Sequence, residues 1–339
     1  MVEWQIEALV KVGVTKIVLA ICYKEELMKE FIDEMNKKYK IEITCSIEKE
    51  PLNTGGPLKL AEKLLVDESN ANIDKSTKTL DNMFFVLNSD IICQYPFKSL
   101  IEFHMAHKGR ATILCYEVEE PSRFGVIIHD KETGLVKSFV EKPQIYVGNS
   151  INAGIYIFNN SVLDDIELRS ISMEREIFPM LAHAKELFVM KLEGFWKDIG
   201  LPGDFLVCNK IYLNYFEEIN RVNIDEFELK VDTENFKGIN LVHKQAKISP
   251  KAVVGPFCVI HKNVKIGDNC RISESILMDD TVIEDNVQIF DSILMFNVKV
   301  GKWTRLDKQT ILAEKVVVRD ESLLVGEKIE PNQIVGKSK

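Results

Sequence analysis

Two aspartates far apart in this 339-residue chain each close an apolar run. Asp90 ends Asn88-Ser89-Asp90 directly after Met83–Leu87, and Asp198 lies in Trp196-Lys197-Asp198-Ile199-Gly200. A carboxylate at the carboxyl end of a buried strand suits Mg2+, which takes one or two carboxylates and fills its shell with phosphate oxygens and water. It also suits the cap of a following helix, and for Asp90 both readings stand. Asp198 at the end of a buried strand requires a cation or hydrogen-bond donors nearby. In Phe139-Val140-Glu141-Lys142-Pro143, the proline forces Lys142 out of the helical region and presents its ammonium as a point charge suited to a sugar phosphate. Glu141 can accept from sugar hydroxyls; the alternative is an exposed Glu-Lys pair with no further role. The loop Glu50-Pro51-Leu52-Asn53-Thr54-Gly55-Gly56-Pro57 opens a helix. Its glycines allow the backbone close to a planar or phosphorylated ligand, or simply make a strand-to-helix turn. Gly125 and Asn152, in Phe124-Gly125-Val126 and Ile151-Asn152-Ala153-Gly154, offer a small group and an amide at strand edges.

The elements that must carry these residues alternate. Lys16–Cys22 reads as a strand after a helix that stops at Gly13, Lys24–Tyr39 as a helix, Ile41–Ile47 as a strand and Pro57–Leu65 as a helix. Met83–Leu87 is a short buried strand, and Asp67–Asn82 is polar enough for a surface insertion. Strand and helix in alternation predict an α/β domain with a Rossmann-like, mainly parallel sheet covered on both faces. Ligands bind such sheets at the carboxyl ends of the strands.

After about Lys247 the period becomes six. Ile248, Val254, Ile260, Ile266 and Ile272 are followed, after a slip of one, by Leu277, Ile283, Ile289 and Met295. A second slip starts Val300, Leu306, Leu312, Val318 and Leu324. Small or β-branched residues such as Ala252, Cys258, Val264 and Thr281 follow most of these by four. This is the pattern of a left-handed parallel β-helix of about four coils, with Gly255, Gly267 and Gly301 at corners. The predicted domains are residues 1–205, a connector 206–245 and the β-helix 246–330.

A net charge of −9 argues against nonspecific nucleic-acid binding, so a phosphorylated ligand needs locally placed cations. No apolar run is long enough for a membrane helix. Seven scattered cysteines without CxxC spacing suggest free thiols, and a cytoplasmic protein is expected.

Taken in order, PLNTGGPL, FFVLNSD, EEPSRFGVI, FVEKPQ, NAGIYIF and FWKDIG, followed by hexapeptide repeats, closely resemble the nucleoside diphosphate sugar pyrophosphorylases. Among these the nearest are the eukaryotic mannose-1-phosphate guanylyltransferases of catalytic type. The resemblance implies that the phosphate of mannose 1-phosphate attacks the α-phosphorus of GTP, giving GDP-mannose and pyrophosphate. It implies Mg2+ on Asp90 and Asp198, Lys142 on the sugar phosphate, and Gly125, Glu141 and Asn152 on the sugar. The base would lie on Glu48, Asn53, Gly55 and Gly56. The family has Gly where this chain has Asn53, and begins with a strand and a Gly-Gly-x-Gly-Thr-Arg loop that binds triphosphate. Here Met1-Val2-Glu3-Trp4-Gln5 corresponds to the helix after that loop. The expectation is an N-terminally truncated chain of weak activity, with unpaired backbone groups beside the missing strand. A non-catalytic regulatory subunit that binds nucleotide sugar, or a pyrophosphorylase for another sugar nucleotide, are the alternatives. An acyltransferase, also built on such coils, needs a catalytic histidine and an extruded loop, whereas the repeats hold only His261 and no insertion. Assembly into homo-oligomers through the β-helix is expected, and a regulatory partner is possible in principle.

Overall fold

The computed structural model describes residues 2–22, 26, 28–66, 78–219, 223–224 and 226–336. Two compact units emerge, Met1–Asp198 and Ile199–Lys339. The first unit contains α1 (Val2–Lys11), β1 (Lys16–Ile21), α2 (Lys29–Tyr39), β2 (Glu42–Ile47), α3 (Gly56–Leu60) and α4 (Glu62–Leu65). It continues with β3 (Met83–Leu87), β4 (Ile91–Cys93), α5 (Phe97–Ala106), β5 (Ala111–Glu117), β6 (Gly125–His129) and β7 (Val136–Glu141). Last come β8 (Ser150–Asn159), α6 (Phe178–His183), β9 (Leu187–Lys191) and β10 (Trp196–Asp198). The N-terminal part of the helix expected over Lys24–Tyr39, and most of the insertion expected over Asp67–Asn82, lie outside the described residues.

The main sheet runs β7-β6-β8-β5-β9, and β3 pairs with β8. It is mixed, which corrects the expectation of a mainly parallel sheet. β8 runs antiparallel to β3, β5 and β6, while β5 and β9 are parallel. Alternation of strand and helix cannot reveal this, because β8, buried from Ala153 to Asn159, is one apolar run whichever way it points. β1 and β2 form a separate parallel pair. Among the described residues β1 has only β2 as a strand partner and β3 only β8. All five residues of β3 are only half-buried despite the sequence MFFVL. Aromatic and aliphatic side chains form the core on both faces, with Phe158 and Phe178 on one and Ile151, Ile155 and Ile157 on the other.

The second unit begins with α7 (Pro202–Glu218) and continues with β11 (Asn223–Ile224), β12 (Phe227–Lys230) and β13 (Asn240–His243). After the four-residue β13, two- and three-residue strands stack in three sheets of parallel rungs, five in the shortest. Val254, Ile272, Ile289 and Leu306 sit directly above one another and are essentially inaccessible. There is about one coil more than the sequence pattern predicts, since β13 opens the stack upstream of it and Ile329 and Val335 extend it downstream. Leu294, not Met295, fills the core after Ile289, pairing with Leu277. The slip falls one repeat earlier than expected, between Ile289 and Leu294, because Leu294 and Met295 are both apolar and only the turn decides which faces in.

Several left-handed corners are made by Asn263, Asn269, Asp280, Asn286 and Asn297, whose short polar side chains tolerate positive φ. Of the predicted glycine corners, only Gly255 has positive φ. Gly267 is needed for space: a Cβ there would lie 2.6 Å from Asp285 Oδ1, which accepts the Asp268 N–H from the neighbouring coil.

Candidate active site

Asp90 sits in the turn between β3 and β4, and a single antiparallel pairing brings the second aspartate to it. β4 and β10 pair with Asp198 opposite Ile91, one residue from Asp90. Burial pushes the Asp90 carboxyl above its ordinary range, and the neighbouring Asp198 carboxylate pushes it further. Two half-buried carboxylates that repel each other could together hold a cation. Among the described residues no three His, Cys, Asp or Glu side chains cluster as a cage. A pair, with the remaining positions left to phosphate and water, is the donor set that suits Mg2+ better than a cation needing an all-protein shell. The turn itself is pinned by Gln5, a buried side chain of α1, whose Nε2 donates to Asn88 O at 2.9 Å and to Ile91 O at 3.0 Å.

The rim continues along β8. Asn88 N–H donates to Gly154 O at 2.9 Å, and Gly154, with φ of 74°, leaves room for the Asn88 amide. Asn152 Nδ2 donates to Tyr156 Oη at 2.8 Å and its Oδ1 accepts the Gly154 N–H at 3.0 Å, so the strand's irregular stretch fixes the amide. Trp196 Nε1 donates to Ala153 O at 3.0 Å, tying β10 to the same stretch. Burial drives the Tyr156 hydroxyl well above its usual range, against the lowering effect of its hydrogen bond with Asn152, and the charges of Glu174, Glu141 and Asp90 add to the rise.

Gly125 pairs with Glu141 across β6 and β7. A Cβ on Gly125 would lie 2.8 Å from Glu141 Oε2, so the glycine makes room for that carboxylate. Burial raises the Glu141 carboxyl, Glu174 raises it further, and Lys142 and Arg175 oppose both. Lys142 has φ of 47°, outside the right-handed helical region, and its side chain is 62% exposed with Nζ 3.7 Å from Glu141 Oε1. Its N–H donates to Phe124 O at 3.1 Å, which anchors the backbone while the ammonium faces solvent.

The glycine loop makes the turn into α3 that the sequence allows, and it closes onto the segment 169–173. Gly55 N–H donates to Ile171 O at 2.8 Å. A Cβ on Gly55 would meet Ile171 at 3.0 Å, and one on Gly56 would lie 2.5 Å from Arg169 O. Contact with the segment 169–173 therefore accounts for the missing side chains of both glycines. Asn53 has φ of 63° and turns its Oδ1 onto the Thr54 N–H at 3.1 Å, so the side chain added relative to glycine caps its own turn. Glu48 accepts the Leu52 N–H on Oε2 at 2.9 Å and braces the same loop. The structure thus brings Asp90 and Asp198 together, and Gly125, Glu141 and Lys142 together, with Asn152 between them on β8. Glu48, Asn53, Gly55 and Gly56 form a separate cluster, joined to Glu141 through Glu174. Glu174, Gln5 and Tyr156 carry no sequence signal of their own, since isolated polar residues on amphipathic segments read as surface.

The chain matches the nucleotidyl transferase family model over residues 1–214 and that of the GMPPB C-terminal domain over residues 236–339. It is 42% identical over 338 residues to a probable mannose-1-phosphate guanylyltransferase 3 of Oryza sativa subsp. japonica, covering 100% of this chain and 89% of that protein. It is 46% identical over 336 residues to the mannose-1-phosphate guanyltransferase of Saccharomyces cerevisiae, covering 99% and 88%. A putative glucose-1-phosphate thymidylyltransferase from Bacillus anthracis shares the fold, with TM-score 0.51 and 16% identity over 60% of this chain and 78% of that one. From these matches, over the whole of its length, the chain belongs to the mannose-1-phosphate guanylyltransferases of the nucleotidyl transferase family.

Proposed function

We propose that the chain transfers the guanylyl group of GTP to mannose 1-phosphate, forming GDP-mannose and releasing pyrophosphate. The observation that carries this reading is the half-buried pair Asp90 and Asp198 on one rim with Glu141 and Lys142. A phosphate oxygen of the sugar phosphate forms a bond to the α-phosphorus of GTP, and the bond from that phosphorus to the β-phosphate oxygen breaks. Little proton transfer is required, so positioning and charge neutralisation dominate. Lys142 holds the incoming phosphate, Glu141 accepts from sugar hydroxyls in the space left by Gly125, and Asn152 fixes the sugar from β8. The loop from Asn53 to Gly56 faces the base through its backbone, and Glu48, with one oxygen committed to Leu52, has the other for a guanine N–H. Asp90 and Asp198 would hold Mg2+, which when bound neutralises charge on the transferring phosphate.

No helix among the described residues is long and apolar enough to cross a membrane, and all seven cysteines are free, which supports a cytoplasmic setting. The β-helix is the proposed surface for homo-oligomers.

The test combines turnover with binding. Pyrophosphate release from GTP and mannose 1-phosphate should depend on Mg2+ and fall at least about tenfold in Asp198→Asn. Lys142→Met should weaken mannose 1-phosphate binding by a similar factor. Preference for UTP with glucose 1-phosphate would overturn the substrate assignment. GDP-mannose binding with no turnover, or turnover indifferent to Asp198→Asn, would instead indicate a non-catalytic regulatory subunit.

A further inference from the structure

One exposed hydroxyl joins the base-side loop to the sugar-side carboxylates. Thr54 Oγ1 donates to Glu174 Oε2 at 2.6 Å and accepts the Met173 N–H at 2.9 Å. The same Glu174 oxygen accepts from Ser172 Oγ at 2.8 Å. Two hydroxyl donors on one oxygen fix the rotation of the carboxylate, and among the described residues no donor reaches Oε1. Glu174 lies in the helical turn Met173–Ile177, which packs against β7 where Glu141 ends the strand, and its charge raises the Glu141 carboxyl.

Folding alone does not explain this arrangement. The loop is already docked by backbone bonds from Gly55 N–H to Ile171 O at 2.8 Å and from Ile171 N–H to Leu52 O at 3.2 Å. The hydroxyl also braces this docking by accepting the Met173 N–H, a role that does not require its own proton to leave water. Its one donor is nonetheless spent on Glu174, across more than a hundred residues of sequence.

We propose that Thr54 is a positioning residue that couples the two substrate sites, a role that rests on the function proposed above. A base held against Asn53–Gly56 immobilises Thr54, and Thr54 holds Glu174 beside Glu141. The second ligand then meets a site whose ordering cost has already been met by the first. Thermodynamic linkage requires the effect to be equal in both directions.

Calorimetric titration of the full chain with mannose 1-phosphate, with and without saturating GMP, and the reverse titration, tests this. The unmodified chain should bind each ligand about fivefold more tightly in the presence of the other, the lower end of usual coupling. Thr54→Ser, which keeps the hydroxyl, should retain that ratio. Thr54→Val, which keeps the shape and removes the hydroxyl, should bring it to about one, and should also lower the melting temperature because the buried Met173 N–H loses its acceptor. A Thr54→Val chain that keeps the ratio, even with both affinities weakened equally, overturns the coupling. So does an unmodified chain that binds both ligands independently. If the unmodified chain binds neither ligand, the reading of the site falls and this inference falls with it.

Discussion

His104 sits at the centre of a buried relay whose proton positions follow from the partners alone. Gly109 N–H can only donate, so His107 Nδ1 accepts it at 3.0 Å and the His107 proton is on Nε2. That N–H donates to Thr112 Oγ1, 2.7 Å away, and the threonine O–H donates in turn to His104 Nδ1 at 2.8 Å. His104 Nε2–H then donates to Asn159 Oδ1 at 2.8 Å. Both rings are therefore neutral, and a proton on either would face a donor. Lys78, which donates to His107 O at 2.8 Å and also to His104 O, is the charged group bearing on both rings, and Phe188 stacks on His107. Burial pulls His104 from 6.5 to about 4, and His107 to about 3.

A depressed histidine means that the unfolded chain binds more protons than the folded one below pH 6.5, so stability falls as the pH falls. Each pH step is equivalent to about 1.4 kcal/mol, so between 6.5 and 5 fully buried His104 alone removes about 2 kcal/mol. That is a large part of a stability of about 5–15 kcal/mol. Urea unfolding followed by tryptophan fluorescence checks it, because Trp196 is buried while Trp303 is 65% exposed and changes little. With a urea dependence of about 2 kcal/mol per molar, the midpoint should drop by about 1 M more in the unmodified protein than in His104→Gln between pH 7.5 and pH 5. Equal drops in the two proteins would refute the reasoning.

Gly56→Ala should destabilise the first unit by about 1–3 kcal/mol and weaken guanine nucleotide binding, since its Cβ would lie 2.5 Å from both Arg169 O and Leu52 Cβ. Thermal melting and nucleotide titration measure both effects; an unchanged melting temperature would show that segment 169–173 yields easily. Ile289→Ala, in the stacked column of the β-helix, should cost about 2–5 kcal/mol. Hydrogen exchange should register the loss in residues of the second unit, and loss confined to the first would contradict the division into two units.

The β-helix and the order of elements were legible because their signals are local. One side chain in six points inward, and that period survives wherever the coil sits. The short apolar run Met83–Leu87 likewise marked Asp90 as following the end of a strand. The direction of β8 was not legible, since an apolar run has no polarity. Nor was the core choice between Leu294 and Met295, which a single turn decides.

For the site, residue types and motif order identified Asp90, Glu141, Lys142 and Asp198 as candidates, and the resemblance gave them roles. By itself the sequence singled out the groups proposed to hold phosphate, sugar and metal, because carboxylates, lysines and glycines suit that chemistry wherever they stand. Tertiary structure alone decided the distances between them. Three residue pairs between β4 and β10 set Asp198 beside Asp90, and the docking of segment 169–173 explains the need for Gly55 and Gly56. The hydroxyl of Thr54 reaches Glu174 for the same reason: contacts between distant segments are fixed by packing and hydrogen bonding in three dimensions.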